Sequence, residues 1–225
     1  MIYIIQNDPE VPAGNILDNL PVPCRVLHLY LGEPLPRPEE ISALIILGGA
    51  MGANDDLKHP FLTELKALIR QAVTASIPYL GICLGGQLLA ASLGAKVASN
   101  RWEELGTLPV TLTAEGESDG LFSGISPQFH SFQWHHDSFD IPADGVLLAA
   151  SPACPHQAFR VGSCAWGLQF HPEVTEEIIA CWCAWDKATA SRKDELLAQF
   201  TAVTADYSSV ARRLLENFLG FARVR

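Results

Sequence analysis

The sequence predicts an α/β fold, a three-layer sandwich around a central, mostly parallel β-sheet with an added antiparallel β section. Residues 43 to 48 form a β-rich run that is apolar on both faces, as is typical of a parallel strand covered by helices. Other short β-rich runs and an amphipathic helical segment flank it, in the order β-β-β-α-β-α. We expect the flavodoxin-like type of this sandwich, with residues 1–225 forming a single domain.

The first half of the chain supplies the parallel sheet. Residues 2 to 6, 24 to 30 and 43 to 48 are predicted strands, and residues 60 to 76 are a predicted helix that begins at a proline. The next strand runs into a helix within residues 78 to 90. One apolar face of the first helix carries Phe61, Leu65, Leu68, Ile69 and Ala72.

The second half begins with shorter alternating segments separated by turn residues, a pattern typical of antiparallel strands joined by hairpins. The predicted strands are residues 108 to 113, 129 to 134, 146 to 151, 156 to 161 and 164 to 171.

Beyond Pro172 the chain is predicted to be helical. Ile178, Ile179, Trp182 and Trp185 fall on one side of a first helix, and a similar stripe continues from residue 196 to 219. We expect both stripes to pack in the core. A contact of Trp182 and Trp185 with a cofactor or partner is the alternative.

Composition excludes several classes of protein. Hydrophobic residues make up 48% and charged residues 18% of the chain, which indicates a globular protein. The formal net charge of −10 argues against a nucleic-acid or anionic membrane partner. The N-terminus lacks the positive region of a secretory signal, so we expect a cytoplasmic protein whose six cysteines are reduced.

The segment Gly81-Ile82-Cys83-Leu84-Gly85 predicts a tight elbow with a thiol at its apex. A strained apex requires very small residues two before and two after it, and Gly81 and Gly85 meet this requirement. The helix that follows favours negative charge at its N-terminus and therefore the thiolate form of Cys83. Its N–H groups can also face an oxyanion. A buried structural cysteine is the alternative.

A nucleophilic cysteine needs a base, usually a histidine oriented by a third polar group. His171 and Glu173 are candidates, because residues two apart in extended backbone project to the same side. Pro172 restricts the geometry between them. A surface histidine at a strand end is the alternative.

Three motifs between residues 43 and 173 together resemble those of class I (triad) glutamine amidotransferase domains. The first two are Gly81-Ile82-Cys83-Leu84-Gly85-Gly86-Gln87 and Gly167-Leu168-Gln169-Phe170-His171-Pro172-Glu173. The third, Ile45-Ile46-Leu47-Gly48-Gly49, resembles the oxyanion loop of the family. The free-standing group similar to the amidotransferase domain of GMP synthetase is the most similar in texture.

The resemblance implies a glutaminase mechanism. Cys83 would attack the glutamine amide carbon, His171 would transfer protons and Glu173 would orient the imidazole. The backbone N–H groups of Gly49 and Leu84 would hold the oxyanion.

Further positions match the substrate-binding part of the family. Gln87 corresponds to a glutamine that contacts substrate, and His136 and Asp137 lie where related domains surround the α-amino and α-carboxylate groups. A second base or a metal site is the alternative for His135 and His136. Three positions depart from many relatives, namely Ala50, Gly86 and His136.

Three functions stay open. The first is hydrolysis of glutamine to glutamate and ammonia, with the ammonia passing to an acceptor on a separate synthetase, since the sequence contains no Walker-type or pyrophosphatase-like motif. The second is hydrolysis of γ-glutamyl peptides or conjugates by the same residues. The third is a regulatory or binding protein with a silent triad. We expect no metal ion and no cofactor in any of them.

Overall fold

The computed structural model describes residues 1–222; the prediction of one domain over residues 1–225 includes residues 223–225, which lie outside the described part. The strands are Ile2–Gln6 (β1), Cys24–His28 (β2), Ala43–Ile46 (β3), Tyr79–Ile82 (β4), Val97–Ala98 (β5), Glu104–Leu112 (β6), Gln128–His135 (β7), Ser138–Phe139 (β8), Gly145–Ala150 (β9), Ala158–Val161 (β10) and Ala165–Leu168 (β11). The α-helices are Asn15–Asn19 (α1), Phe61–Thr74 (α2), Leu84–Ser92 (α3), Ala114–Glu117 (α4), Glu176–Trp185 (α5), Lys193–Thr201 (α6) and Thr204–Ala222 (α7).

Nine of these strands form a continuous sheet in the order β2-β1-β3-β4-β11-β10-β9-β6-β7. The five strands from β2 to β11 pair in parallel, and the pairs from β11 to β7 are antiparallel. Strands β5 and β8 form a separate antiparallel pair. The predicted α/β fold with an added antiparallel section is confirmed.

The strand predicted over residues 164 to 171 differs from expectation. It ends at Leu168, and it pairs in parallel with β4 while pairing antiparallel with β10. Strand β11 therefore joins the two halves of the sheet. Its parallel pairing places the residues that follow Leu168 beside those that follow β4.

The core lies on both faces of the parallel sheet. Along β1, Ile2 and Ile4 pack in a cluster with α1 and α7, whereas Tyr3 and Ile5 pack in a cluster with α2 and α3. Alternate residues of a strand project to opposite faces, so the sheet becomes the middle of three layers. A third cluster joins α5 and α6 to Phe132.

The carboxyl ends of the parallel strands meet at one edge of the sheet. The chain leaves β1 at Asn7, β3 at Leu47, β4 at Cys83 and β11 at Gln169. In open α/β sheets, this edge is the usual position of ligand sites. No helix within residues 1–222 has both the length and the apolar character needed to cross a membrane.

Candidate active site

Cys83 occupies the strained apex that the glycine spacing predicts. Its φ of 50° and ψ of −107° lie in a region that side-chain-bearing residues rarely adopt, and it is the N-cap of α3. Its N–H donates to the carbonyl of Leu168 at 2.8 Å. A Cβ atom at Gly81 would lie 2.4 Å from the carbonyl oxygen of Gly85, and one at Gly85 would lie 2.1 Å from the carbonyl oxygen of Ile46. Both glycines are therefore required for the elbow to form.

His171 and Glu173 are paired and buried. Nδ1 of His171 lies 2.7 Å from Oε1 of Glu173, and their side chains are 3% and 0% exposed. Because an ionised carboxylate only accepts hydrogen bonds, Nδ1 carries the proton. The carbonyl of His171 accepts a hydrogen bond from the Tyr207 hydroxyl at 2.9 Å, which fixes the backbone of this segment.

The electrostatic surroundings of His171 favour its protonated form. Burial alone lowers the pKa of His171, but the charges of Glu173 and Cys83 and hydrogen bonds to both outweigh burial and raise the pKa to about 10. The resulting imidazolium stabilises a negative charge on the sulfur of Cys83.

The raised pKa gives a prediction for the pH dependence of the protein. The pKa of His171 is about 10 when folded and 6.5 ordinarily, so protonation of His171 stabilises the fold fully below about pH 6.5 and ceases to do so as the pH rises through about 10. Replacing Glu173 by Gln removes the carboxylate charge, so we expect the pKa of His171 to fall. NMR titration of the imidazole nitrogens checks both values, with Glu117→Gln on α4 as an exposed control. A wild-type midpoint near 6.5 contradicts the prediction.

The loop after β3 lies directly against the thiol and the imidazole. A Cβ atom at Gly48 would lie 3.3 Å from Cε1 of His171 and 3.6 Å from Cβ of Cys83. Gly49 lines the cavity in front of these groups. Leu84 begins α3, and the first N–H groups of a helix have no acceptor within it. The two predicted oxyanion donors thus flank the thiol on separate elements.

Two residues that sequence reasoning missed hold this loop. Asn7 donates from Nδ2 to the carbonyl of Leu47 at 2.8 Å, and the N–H of Ala50 donates to Oδ2 of Asp8 at 3.1 Å. Both side chains are buried. The available signal was a pair of short polar residues immediately after an apolar strand that ends at the ligand-binding edge.

The predicted substrate contacts also line the cavity, with different surroundings. Gln87 is buried and donates from Nε2 to the carbonyl of Asp137 at 3.1 Å. The carboxylate of Asp137 accepts from the hydroxyl of Ser99 at 3.1 Å. His136 lies at the rim, where its 58% exposed side chain pairs with Glu103 at 2.9 Å. The structure thus brings Gln87 and Asp137 into direct contact and places His136 outside that contact.

Gln169 is a further residue of the site that sequence reasoning missed. It is fully buried, and its Nε2 lies 3.7 Å from the sulfur of Cys83. Its Oε1 accepts from Nε2 of Gln87 at 3.4 Å. Its position two residues before His171, in a motif beside the nucleophile, was the signal.

A cavity of about 410 Å³ opens in front of these groups, within the range of small-molecule sites. Trp182 packs edge-on to the imidazole of His171, with ring centroids 5.0 Å apart, and Trp134 packs edge-on to Trp182. The predicted core position of Trp185 is wrong: its exposure is 52%, because the last turn of α5 extends past the packed cluster to the cavity wall. The cavity is lined by Val11, Gly49, Ala50, Met51, Gly52, Cys83, Gln87, Trp134, His135, His136, Asp137, His171, Trp182, Trp185 and Asp186.

The fold and the site together define an α/β protein with a thiol on a strand–helix elbow beside a histidine–carboxylate pair. The family model described as "Glutamine amidotransferase class-I" matches residues 23–178, well over half of the chain. The chain therefore belongs to the class I glutamine amidotransferase family.

Similar proteins agree with this assignment. The glutamine amidotransferase-like protein YfeJ of Salmonella typhimurium is 34% identical over 156 residues, which cover 68% of this chain and 65% of YfeJ. The amidotransferase-type subunit of the glutamine-hydrolysing GMP synthase of Methanococcus vannielii is 30% identical over 180 residues, 78% of this chain and 88% of that protein. A crystal structure of a glutamine amidotransferase from Thermotoga maritima superposes with a TM-score of 0.87 at 32% identity and covers 97% of both chains.

The match to some relatives is partial. The chain spans less than two thirds of YfeJ, and its matches cover 26% and 28% of two longer glutamine-hydrolysing GMP synthases.

Proposed function

We propose that this protein hydrolyses the side-chain amide of glutamine through a thioester on Cys83. The observation that carries the proposal is the grouping of a thiol, a protonated imidazole and a buried carboxylate at the mouth of one cavity. Membership of the class I glutamine amidotransferase family supports the same chemistry.

The proposed reaction has two halves. The thiolate of Cys83 attacks the amide carbon, and the N–H groups of Gly49 and Leu84 stabilise the resulting oxyanion. Collapse of this intermediate breaks the C–N bond while the imidazolium of His171 protonates the departing ammonia. Neutral His171 then takes a proton from water, which attacks the thioester and releases glutamate with restoration of the thiol. Glu173 orients the imidazole and stabilises its charged form throughout.

We further propose that Gln87, His136 and Asp137 hold the amino-acid end of glutamine. The carboxylate of Asp137 and the imidazole of His136 lie on the same cavity wall, and they have the opposite charge or the donor groups needed for an ammonium and a carboxylate. The buried amide of Gln87 lies between this wall and the thiol.

We propose that the acceptor of ammonia lies on a separate protein in the cytoplasm. The similarity to one subunit of the GMP synthase of Methanococcus vannielii supports a partner protein, and the six free thiols of this chain suit a reducing compartment.

The test is a glutamine assay combined with covalent trapping. The purified chain should release ammonia and glutamate from glutamine, and a diazoketone analogue of glutamine should label Cys83, as mass spectrometry of the peptide can show. Labelling of Cys83 no faster than that of a free cysteine, with no turnover, would support a silent regulatory protein instead.

The tryptophan wall favours a second candidate, the hydrolysis of γ-glutamyl conjugates with an apolar amine. The leaving nitrogen must approach His171 to receive its proton, and Trp182 and Trp185 line the cavity on the side of this histidine. Aromatic contacts contribute ~0.5–1.5 kcal/mol beyond their buried area.

A comparison of substrates tests the second candidate. A γ-glutamyl anilide should then be cleaved with a higher kcat/KM than glutamine, and Trp185→Ala should reduce that advantage by up to about tenfold. A higher kcat/KM for glutamine than for the anilide would contradict this candidate.

A further inference from the structure

A buried polar cluster lies beneath the cavity and outside the proposed reaction steps. At its centre is the carboxylate of Glu104, whose side chain is 3% exposed. It accepts from the hydroxyl of Ser151 at 2.7 Å, from Nε2 of His135 at 3.2 Å and from the side-chain amide of Gln157. A carboxylate held by three donors in the interior is stabilised as the anion.

His135 connects this anion to the cavity wall. One ring nitrogen, Nε2, faces the Glu104 carboxylate, and the other, Nδ1, faces the carbonyl of Asp137 at 3.2 Å. Neither group can donate a hydrogen bond, so both contacts are made only when both nitrogens carry protons. The geometry therefore suits a positively charged His135 paired with Glu104, and the side chain of this histidine is only 1% exposed.

The contact continues from Asp137 to the nucleophile. The carbonyl that accepts from His135 also accepts from Gln87 at 3.1 Å, and Gln87 donates to Gln169, whose amide lies beside the sulfur of Cys83. The backbone N–H of Gln169 in turn donates to the carbonyl of Gln157 at 2.8 Å. Two routes of hydrogen bonds thus lead from Glu104 to the residues around Cys83.

A metal ion is the other use of this cluster. Ligand atoms of Glu104, His135 and Cys154 lie within 4.8 Å of one another. However, burial raises the pKa of the Cys154 thiol, which disfavours the thiolate that a metal requires. Its sulfur also lies 3.5 Å from the hydroxyl of Ser138 and from the carbonyl of His156. The observed contacts favour a hydrogen-bonded cluster.

We propose that Glu104 and His135 form a buried ion pair that positions the Asp137 carbonyl and Gln87 for binding of the glutamyl group. Both are positioning residues, because they act through Asp137 and Gln87 and do not reach the reacting atoms. The inference rests on the proposed function for its kinetic consequence. The protonation of His135 is independent of that function.

Kinetics of charge-removing variants test the proposal. Glu104→Gln, and the double variant Glu104→Gln/His135→Gln, which leaves no buried charge without a partner, should lower kcat/KM for glutamine by about 10–100-fold, mainly through KM, since small displacements of substrate-positioning groups have effects of this size. Labelling by the diazoketone analogue should fall in parallel, while alkylation of Cys83 by iodoacetamide, which lacks a glutamyl group, should change less than threefold. His130→Gln, on the exposed side of β7, and Glu115→Gln, on the exposed surface of α4, are matched controls.

Nitrogen NMR supplies a readout that does not depend on turnover. Both ring nitrogens of His135 should be protonated at neutral pH in the wild-type protein, and Glu104→Gln should remove one of these protons and shift the side-chain amide signal of Gln87. If His135 carries a single proton, if the purified protein holds stoichiometric metal, or if folded variants keep kcat/KM within twofold, the proposal is wrong. If the wild type is inactive on glutamine, the proposed function fails, and the NMR result alone decides the ion pair.

Discussion

Replacing Cys83 by alanine is expected to abolish glutamine hydrolysis, with a loss of roughly 10⁴-fold or more, the size seen when a nucleophile is removed from a catalytic triad. The physical reason is that no other thiol can take its place at the elbow. The thioester cannot form without Cys83, and labelling by the diazoketone analogue should disappear with it. Ammonia release and intact-protein mass spectrometry measure the two effects.

Cys181→Ala is the matched control for this experiment. Cys181 lies exposed on α5, so its loss removes a thiol without altering the site. Glutamine hydrolysis that persists in Cys83→Ala but not in Cys181→Ala would refute the assignment of the nucleophile.

Replacing Gly85 by alanine is expected to destabilise the fold by about 3 kcal/mol or more, since even moderate overpacking typically costs 1–3 kcal/mol. The added Cβ would lie 2.1 Å from the carbonyl oxygen of Ile46 in the neighbouring strand β3. A backbone atom in the middle of the sheet cannot move aside as a flexible side chain would. Urea unfolding measures the loss, and the rate of Cys83 alkylation should fall because the elbow is displaced.

Gly220→Ala provides the control for the glycine substitution. Gly220 lies in α7, and a Cβ atom there would meet no atom within 4 Å. This change should leave stability equal or raise it by up to about 1 kcal/mol, because alanine favours helix more than glycine does. Equal stability of the two variants would show that the contact at Gly85 does not constrain the elbow.

The elbow and the His171–Glu173 pair could be predicted because each depends on residues close together in sequence. The spacing of Gly81, Cys83 and Gly85 predicts the positive φ found at Cys83, and the spacing of two residues predicts the observed contact of imidazole and carboxylate. The parallel half of the sheet was predictable for a similar reason, since a strand buried on both faces is apolar throughout.

Other parts of the site could not be predicted, since they depend on distances between remote segments. Asp8 contacts Ala50 only because β1 and β3 are neighbours in the sheet. The exposure of Trp185 depends on where the cluster around α5 ends, which helical periodicity does not indicate. Glu104 and His135 face each other because β6 and β7 pair at that register.

By itself, the sequence determined the class of fold, the strained thiol and the pairing of His171 with Glu173, because backbone sterics and side-chain periodicity act over a few residues. Only the tertiary structure decided that Gln169 approaches the thiol, that Asn7 and Asp8 hold the oxyanion loop, and that Glu104 and His135 form a buried pair beneath Asp137. These contacts arise from the order and register of strands across the sheet, which bring together side chains that no local pattern connects.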